Sequence, residues 1–397
     1  MKPSLSGSFL RNEDPMSATY NYQALYIHIP FCANRCNYCD FQTTAIAEDD
    51  PLLDSYASSL VAEIGSAAQQ GLFATVETIY IGGGTPTFLG RKRLVAIVNA
   101  LSECVPLSSA TEFTIEANPE SLDYAALREL VALGVNRLSL GIQSFDDREL
   151  VLLGRIHNAQ KALAAIRAAR DVLENVSIDL ICGIPGQTTK SWQESLRQAV
   201  DCDVRHISVY PLTIEEHTPF ARSIEAGEMG ALDDDREAQL MEEAACYLEN
   251  HGFKRYEVAS YAKEGFACRH NCAYWTGLPY LGLGEGAASM REDARGRARL
   301  MNGKLVEMLT PEEALREDIM LGMRMSRGIP FSLLEKAIRS NPGMADTFAE
   351  LQALGLIVSD NGYYRPTPHG WLMGNELYGR IWLSSPPAPS AALPERV

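Results

Sequence analysis

The sequence predicts an α/β fold in which six consecutive β-α units build an open or partial (β/α) barrel, followed by a smaller C-terminal α+β domain. Three observations predict this architecture. Short apolar runs alternate with helical patterns up to about residue 220. These runs are nearly continuous in apolar character, as expected of strands buried on both faces of a parallel sheet. After about residue 300 the pattern changes to helices and a hairpin.

Each of the six predicted strands is followed by a connection that is long enough for a crossover helix. Because six units fall short of the eight of a closed barrel, a doubly wound parallel sheet remains an alternative. Strands are predicted within 24–30, 76–84, 111–119, 137–144, 176–186 and 206–213, and helices within 51–70, 91–104, 122–133, 158–172 and 189–200.

A long helix and a C-terminal domain are predicted after the barrel. Residues 233–251 have apolar positions at helical spacing, an Asp cap at one end and Gly252 at the other. Residues 310–313 (TPEE) form a capping box with proline in the first turn, and Asn361-Gly362 is typical of a hairpin turn. The order helix, helix, hairpin predicts a winged-helix-like domain. Because this part carries more acidic than basic side chains, a packing or lid role is favoured over DNA binding.

The change of pattern along the chain predicts its domain boundaries. Both ends are polar or rich in Pro, Ala and Ser, which is typical of disordered tails. The predicted divisions are a tail over 1–22, the barrel over 23–220, a linking helix, strand and loop region over 221–300, the winged-helix-like domain over 301–383 and a tail over 384–397.

Composition excludes several classes of protein. The 51 Asp and Glu outnumber the 35 Lys and Arg among 397 residues, which gives a net charge of −16. An acidic surface repels phosphate backbones, so nucleic acid is not expected as a partner. The sequence shows neither a membrane span nor a signal peptide, and a cytoplasmic location is expected. In that reducing compartment the nine cysteines indicate metal or redox chemistry where they are grouped.

Three of these cysteines lie close together directly after the first predicted strand. Cys32, Cys36 and Cys39 are spaced C-x3-C-x2-C, so that their thiolates can converge on one metal centre. A structural zinc site requires a fourth ligand, for which Asp40 and His28 are badly placed. A four-iron cluster usually takes four cysteines, so three would leave one iron open to a small molecule. A chance grouping in a loop is the remaining alternative.

Glycines and polar residues follow the other predicted strands. Gly82, Gly83, Gly84 and Thr85 close the second strand, where exposed backbone lets a ligand approach closely. A tight β-to-α turn is the alternative, and the segment is neither a Walker A loop nor GxGxxG. Further polar side chains are expected at the mouth of the barrel, although each alone could be a surface cap or a core ion pair: Glu116, Gln143, Arg155 and Asp179.

The triad after the first strand of a six-unit β/α array resembles the radical S-adenosylmethionine (SAM) superfamily. The resemblance covers roughly residues 24–380 and implies a partial (β/α)6 barrel whose three cysteines hold a [4Fe–4S] cluster. In that superfamily the open iron binds SAM, and an injected electron cleaves SAM to methionine and a 5′-deoxyadenosyl radical. The motifs are similar to those of the coproporphyrinogen dehydrogenase/HemW family, which implies a SAM site formed by Tyr26, Tyr38, Gly83, Gly84, Thr85, Glu116, Gln143, Arg155 and Asp179.

One position separates the two activities of that family. Oxygen-independent coproporphyrinogen III dehydrogenases carry a further cysteine two residues after the triad and a longer N-terminal segment. Here that position is Phe41, and 31 residues precede Cys32. The resemblance therefore favours a HemW-like haem chaperone, with oxidative decarboxylation of coproporphyrinogen III in haem biosynthesis as the alternative.

A second motif supports the same branch. Residues 270–275 (HNCAYW) match the HNxxYW motif of HemW-type proteins, in which it is associated with haem binding. His270 would be an axial ligand of the haem iron and Cys272 a second candidate, while the aromatic rings can stack on a flat macrocycle. The alternative is a buried His–Asn pair that supports the loop. The resemblance implies haem, a flavodoxin- or ferredoxin-type electron donor and recipient haem proteins as partners, and leaves a homodimer and peripheral membrane contact open.

Overall fold

The computed structural model describes residues 21–230 and 233–384 of the chain. The predicted tails, 1–22 and 384–397, therefore lie outside the described residues except at their inner ends. There, Tyr22 and Ser384 are buried, and Asn341 Nδ2 donates a hydrogen bond to the Ser384 carbonyl at 3.0 Å. The packed part of the chain thus includes both of these residues.

A twelve-stranded sheet forms the main body of the protein, in the spatial order β12-β11-β10-β9-β1-β2-β3-β4-β5-β6-β8-β7. Strands β1 to β6 are parallel and lie side by side in chain order. A doubly wound sheet would reverse its strand order at a switch point, so the partial (β/α)6 barrel is confirmed. The strands are β1 (Ala24–Ile29), β2 (Thr78–Gly83), β3 (Glu112–Ala117), β4 (Arg137–Gln143), β5 (Val176–Cys182), β6 (His206–Pro211), β7 (Lys254–Arg255), β8 (Ser260–Ala262), β9 (Tyr280–Leu283), β10 (Ala288–Asp293), β11 (Gly296–Met301) and β12 (Lys304–Leu309).

Helices join these strands, and each predicted crossover helix is present. Side-chain caps fix where several begin, as at Asp50, Asn158 and Thr188. Two short helices that the sequence did not predict, α4 and α7, lie near the mouth of the barrel. The helices are α1 (Pro51–Gln69), α2 (Arg91–Cys104), α3 (Tyr124–Ala132), α4 (Asp147–Leu152), α5 (Ala159–Arg170), α6 (Thr189–Asp201), α7 (Pro219–Glu225), α8 (Asp234–Asn250), α9 (Arg269–Trp275), α10 (Pro311–Gly322), α11 (Phe331–Ser340), α12 (Gly343–Ala353), α13 (Pro368–Leu372) and α14 (Gly374–Leu383).

The apolar core explains why the strand sequences lack polar alternation. Leu25, Ile27 and Ile79 on β1 and β2 pack with the apolar faces of α1 and α2. A second cluster joins β4, β5 and β6 to α5, α6 and α8 around Trp192. Burial of each Leu or Ile side chain contributes roughly 1.5–3 kcal/mol, so these two layers hold the strand ends in fixed positions.

A seventh parallel strand, β9, extends the barrel sheet beyond the six predicted strands. It pairs with β1, with Leu281 opposite Leu25. A segment of four residues is too short for its hydrophobic periodicity to distinguish a strand from a loop. Beyond it, β10, β11 and β12 continue as an antiparallel ladder. The predicted boundary between the linking region and the C-terminal domain, at 300/301, falls within the β11–β12 hairpin. The domain boundaries remain predictions.

The C-terminal region has the element order of a winged-helix domain. Helix α10, the short strand Ile329–Pro330, α11 and α12 are followed by the hairpin of Ile357–Asp360 and Tyr363–Pro366. The predicted capping box of α10 forms at Thr310. Asn361 and Gly362 both have positive φ, 48° and 84°, as the predicted tight hairpin turn requires. No helix among the described residues is long and apolar enough to cross a lipid bilayer.

Candidate functional site

The three cysteines of the triad lie on one loop at the carboxyl end of β1. Two-residue strands, Phe31–Cys32 and Thr44–Ala45, pair in parallel and close the base of this loop. Within it, the Cys39 N–H donates to the Cys36 carbonyl at 3.2 Å. The fold therefore brings all three thiols to the same end of the barrel, as the spacing predicted.

Asparagine side chains hold the outer part of this loop against the turn after α4. Asn34 Nδ2 donates to the Gly154 carbonyl at 3.0 Å and Asn37 Nδ2 to the Leu152 carbonyl at 2.8 Å. The Asn37 carbonyl in turn accepts the Phe220 N–H at 3.1 Å. The loop is thus held by the end of α4 and by the first turn of α7.

The donor set of this loop is three thiols. A four-iron cluster takes each thiolate on a different iron, whereas a structural zinc ion takes four ligands around one centre. Three cysteines on one loop therefore supply the ligands of a four-iron cluster with one iron left open.

Polar groups contact the thiols of the loop. Burial raises the pKa of Cys32, and a hydrogen bond from the Thr85 hydroxyl opposes this rise. Burial also raises the pKa of Cys39, and a hydrogen bond from the Phe41 N–H opposes that rise. Thr85 Oγ1 lies 3.4 Å from Cys32 Sγ, and Arg155 Nη1 lies 3.5 Å from Cys36 Sγ. These two contacts position the sulfur atoms of Cys32 and Cys36 on the side of the loop that faces the barrel.

The glycines at the end of β2 pack directly against the cysteine loop. The Gly84 N–H donates to the Ile29 carbonyl at 2.7 Å and the Thr85 N–H to the Phe31 carbonyl at 2.8 Å. A Cβ at Gly84 would lie 2.6 Å from the Phe31 carbonyl oxygen and 3.0 Å from Cys32 Sγ. The glycine motif is therefore required for close approach of two backbone segments, in addition to any role toward a ligand.

Two carboxylates line the lumen near these glycines. Glu116 Oε1 accepts the Tyr80 hydroxyl at 2.7 Å, and Oε2 accepts the Gly83 N–H at 3.3 Å. Burial raises the pKa of Glu116 to about 7, despite the Tyr80 hydrogen bond, and the nearby Asp179 adds to the rise. Burial also raises the pKa of Asp179, whose carboxylate accepts from Ser139 Oγ at 3.3 Å. Both groups can receive a cationic ligand in the barrel mouth.

Arg155 joins the ends of two strands beside the cysteine loop. Its Nη2 donates to Asn118 Oδ1 at 2.7 Å and to the Gly141 carbonyl at 2.8 Å. Gln143 lies at the end of β4, where the register shifts and its own φ is 68°. Arg155 could pair with a carboxylate ligand at this end of the barrel.

The two predicted tyrosines occupy different surroundings. Tyr26, on β1, donates or accepts a hydrogen bond with His28 Nδ1 at 3.1 Å and stacks on Tyr80 with ring centroids 6.3 Å apart. Tyr38 lies between Cys36 and Cys39 on the loop and packs against a small apolar cluster formed by Leu153, Ile181, Ile184, Leu212 and Phe220.

His270 does not fit the predicted role of a haem ligand. Its Nδ1 lies 2.9 Å from Thr78 Oγ1, its Nε2 lies 3.0 Å from the Tyr274 hydroxyl, and the residue is 0% exposed. Both nitrogens are therefore occupied, and no face is open to a macrocycle. Residues two apart on a helix point about 200° from each other, so Cys272 cannot share one iron with His270. Burial raises the pKa of Cys272 to about 12, which disfavours a thiolate ligand.

The surroundings of His270 resemble the alternative in which a buried His–Asn pair supports the loop. The partner of this segment is Glu112 instead of an asparagine. Glu112 accepts the Arg269 N–H at Oε2 and the His270 N–H at Oε1, both at 2.9 Å. This carboxylate thereby satisfies the first turn of α9. A single glutamate at the start of a strand gives no sequence signal for such a role.

Two more residues complete the mouth and were not predicted as a pair. His157 is buried and lies 3.1 Å from Glu120 Oε2 through Nδ1. Glu120 follows β3 in the segment Asn118-Pro119-Glu120, and His157 follows Arg155 by two positions. Polar residues just after neighbouring strands were the available signal, but only the fold shows which ones meet.

A cysteine triad behind the first strand of a partial barrel defines a radical SAM protein. The model of the Radical SAM superfamily matches residues 26–199, and that of the HemN C-terminal domain matches residues 309–373. The Heme chaperone HemW of Bacillus subtilis is 34% identical over 375 residues, which cover 90% of this chain and 98% of the relative. The chain belongs to the HemW family of radical SAM proteins. Membership of that superfamily implies a [4Fe–4S] cluster and SAM as cofactors.

Two further proteins show the breadth of the similarity. The bovine mitochondrial radical S-adenosyl methionine domain-containing protein 1 is 34% identical over 79% of this chain and 70% of its own length. The solved structure of coproporphyrinogen III oxidase (HemN) from Escherichia coli has a TM-score of 0.78 over 92% of each chain, at 22% identity. That second likeness confirms the fold, with its barrel and C-terminal domain.

Proposed function

We propose that this chain is a haem chaperone in which Cys32, Cys36 and Cys39 hold a [4Fe–4S] cluster. The observation that carries the proposal is the meeting of the cysteine loop with the glycine-rich end of β2. Thr85 and Gly84 contact the cysteine loop directly. The cluster, when bound, would offer one iron without a protein ligand, at the edge where Glu116 also lies.

The residues around that edge suit the groups of SAM. The ammonium and sulfonium of SAM are cations, which Glu116 and Asp179 can attract in their ionised forms. Arg155 supplies a guanidinium for the carboxylate. Tyr26 on β1 and Tyr38 on the cysteine loop offer aromatic rings. The complete proposed SAM set is Tyr26, Tyr38, Gly83, Gly84, Thr85, Glu116, Gln143, Arg155 and Asp179.

Haem is the proposed cargo, handed to recipient haem proteins such as respiratory enzymes. The support is the 30–36% identity to curated relatives named heme chaperones over most of this chain. Phe41 also supports it, because the position two residues after the triad holds an exposed ring, 68% accessible, in place of a fourth thiol. We further propose a flavodoxin- or ferredoxin-type electron donor, and a reducing, cytoplasmic location suited to the free triad.

Anaerobic reconstitution of the full chain tests the proposal. We expect bound iron and sulfide, SAM binding in equilibrium dialysis, an absorbance change with hemin, and haem transfer to an apo-haem protein. Cys36→Ser should lose the cluster absorbance, whereas Cys246→Ser, which alters an exposed thiol, should keep it.

One outcome would contradict the chaperone assignment, and another the assignment of the cluster ligands. Decarboxylation of coproporphyrinogen III with SAM and dithionite would instead establish the dehydrogenase alternative. Equal iron and sulfide content in the Cys36→Ser and wild-type proteins would remove Cys36 from the cluster.

A further inference from the structure

The HNxxYW helix α9 lies at the opposite end of the barrel from the cysteine loop. Thr78 and Glu112, the first residues of β2 and β3, both hydrogen-bond to it. The helix therefore closes the N-terminal end of the parallel strands. We propose that His270 is a positioning residue for the carboxylate Glu116, and that α9 forms the floor of the barrel and supplies no haem ligand. The inference rests on the SAM site proposed above.

The contacts of His270 are complete without any ligand. The hydroxyls of Thr78 and Tyr274 can each donate or accept, so a neutral imidazole is satisfied in either tautomer. Burial, with a smaller contribution from Arg137, lowers the pKa of His270 to about 3. The ring is therefore neutral under physiological conditions, and its two hydrogen bonds fix its plane.

That fixed ring supports a second ring that reaches the SAM site. His270 stacks on Tyr80 with centroids 5.1 Å apart and an interplanar angle of 29°. The Tyr80 hydroxyl donates to Glu116 Oε1 at 2.7 Å, and Glu116 Oε2 accepts the Gly83 N–H. Thr78, Tyr80 and Gly83 are all on β2, so one strand links the floor to the mouth.

The packing leaves little freedom for these groups to adjust independently. A Cβ at Gly82 would lie 2.9 Å from both Glu116 Oε2 and Tyr80 Cε1. Only a glycine leaves space for the tyrosine and the carboxylate to meet. In a close-packed interior, a displaced ring shifts its neighbours. Loss of the His270 ring should therefore move Tyr80 and weaken its hold on Glu116.

The chain contains a matched control for this substitution. His206 is also 0% exposed, and it is the first residue of strand β6. Its Nδ1 lies 2.8 Å from Ser177 Oγ, and its Nε2 lies 2.8 Å from the Tyr256 hydroxyl. It has the same burial and the same kinds of partner, but neither partner belongs to the proposed SAM site.

The experiment compares SAM and hemin binding by the reconstituted full chain. The variants are His270→Ala, His270→Phe, Tyr80→Phe and His206→Ala. We expect His270→Ala to weaken SAM binding about tenfold, a loss on the order of one hydrogen-bonded contact, with unchanged hemin affinity and spectrum. His270→Phe keeps the stacked ring and should recover part of the loss. His206→Ala should leave SAM affinity near that of the wild type.

The pH profile of SAM binding separates positioning from general destabilisation. The titratable and charged groups around Glu116 are Tyr80, Asp179 and Arg137, together with the tyrosines at 26, 210 and 274, which also interact with its charge. The Tyr80 hydrogen bond lowers the pKa of Glu116, so Tyr80→Phe and His270→Ala should both move the rise of SAM affinity to higher pH. A general loss of stability would not move it.

Distinct results decide the two claims. Wild-type protein that binds no SAM contradicts the proposed function itself. If the wild type binds SAM and His270→Ala binds it equally with an unmoved pH profile, the positioning role is wrong. A lost or shifted haem spectrum in folded His270→Ala would restore His270 as a ligand. If His270→Ala does not fold, Tyr80→Phe with wild-type SAM affinity and profile would overturn the inference.

Discussion

The His157 imidazole lies between the Glu120 carboxylate and a backbone carbonyl, with its Nδ1 3.1 Å from Glu120 Oε2. The other ring nitrogen, Nε2, lies 3.2 Å from the Ile142 carbonyl. His157 thereby ties the loop after β3 to the end of β4.

Arg155 makes a parallel connection two residues earlier. It bridges Asn118 in the loop after β3 and Gly141 near the end of β4. The two side chains on one segment therefore link the same pair of strand ends. This clamp holds Arg155 beside Cys36, with Nη1 3.5 Å from Sγ.

Removal of the His157 ring should loosen this clamp. His157→Leu takes away the hydrogen-bond partner of the Glu120 carboxylate, and a buried acceptor left unpaired costs about 1 to 3 kcal/mol. Because Glu120 retains some exposure, we expect a loss near 2 kcal/mol in the free energy of unfolding, measured in urea. SAM affinity should also fall, as Arg155 is less well placed. Arg148→Ala, at an ion pair whose arginine side chain is 88% exposed, should change stability by less than about 0.5 kcal/mol.

The same pair should make the fold sensitive to acid. Burial alone would raise the pKa of Glu120, but the His157 hydrogen bond and the Arg155 charge outweigh it and lower that pKa. A carboxyl with a depressed folded-state pKa contributes stability above its unfolded pKa of about 4.3 and loses it as the pH falls further. The stability difference between wild type and Glu120→Gln should shrink below pH 4.5. A difference that stays constant down to pH 3 would contradict this assignment.

Ionisation of Glu116 should destabilise the fold, whereas ionisation of Glu120 stabilises it. Its pKa is raised to about 7, so the folded state binds more protons than the unfolded state between pH 4.5 and pH 7. Stability contributed through this group therefore falls as the pH rises through that window. Glu116→Gln should be more stable than wild type at pH 8, by roughly 1 to 3 kcal/mol, and should bind SAM more weakly. Denaturant titrations at pH 5 and pH 8 check the sign, since the gain should vanish at the lower pH.

The parts of the fold that the sequence predicted are those set by local rules. Asn361-Gly362 in the hairpin turn and Thr310 in the capping box act within a few residues of themselves. Apolar runs predicted the six buried strands because burial on both faces selects them. The cysteine spacing also predicted a loop that gathers three thiols.

The parts that were missed depend on which distant residues meet. Strand β9 is recognisable only through its pairing with β1. The role that we propose for His270 depends on Thr78, 192 positions away in sequence, whose hydroxyl contacts its Nδ1. The sequence of the motif is the same whether the histidine ring faces solvent or a buried hydroxyl. The ligand prediction therefore could not be tested before the fold was known.

The glycine at position 84 provides the sharpest test of how the cysteine loop is held. Gly84→Ala adds a Cβ that would meet the Phe31 carbonyl oxygen at 2.6 Å and Cys32 Sγ at 3.0 Å. The backbone oxygen cannot rotate away, so the cysteine loop has to shift, at a cost of about 1 to 3 kcal/mol.

Cluster content after reconstitution should fall with that shift, because Cys32 is displaced from the other two thiols. Gly65→Ala is the matched control, since it lies within α1 and a Cβ there meets nothing within 4 Å. It should keep the full iron and sulfide content and gain about 0.5 to 1 kcal/mol in stability through its helix propensity. Equal iron content in the two variants would show that the glycine motif does not position the cysteines, and would leave its role to the ligand alone.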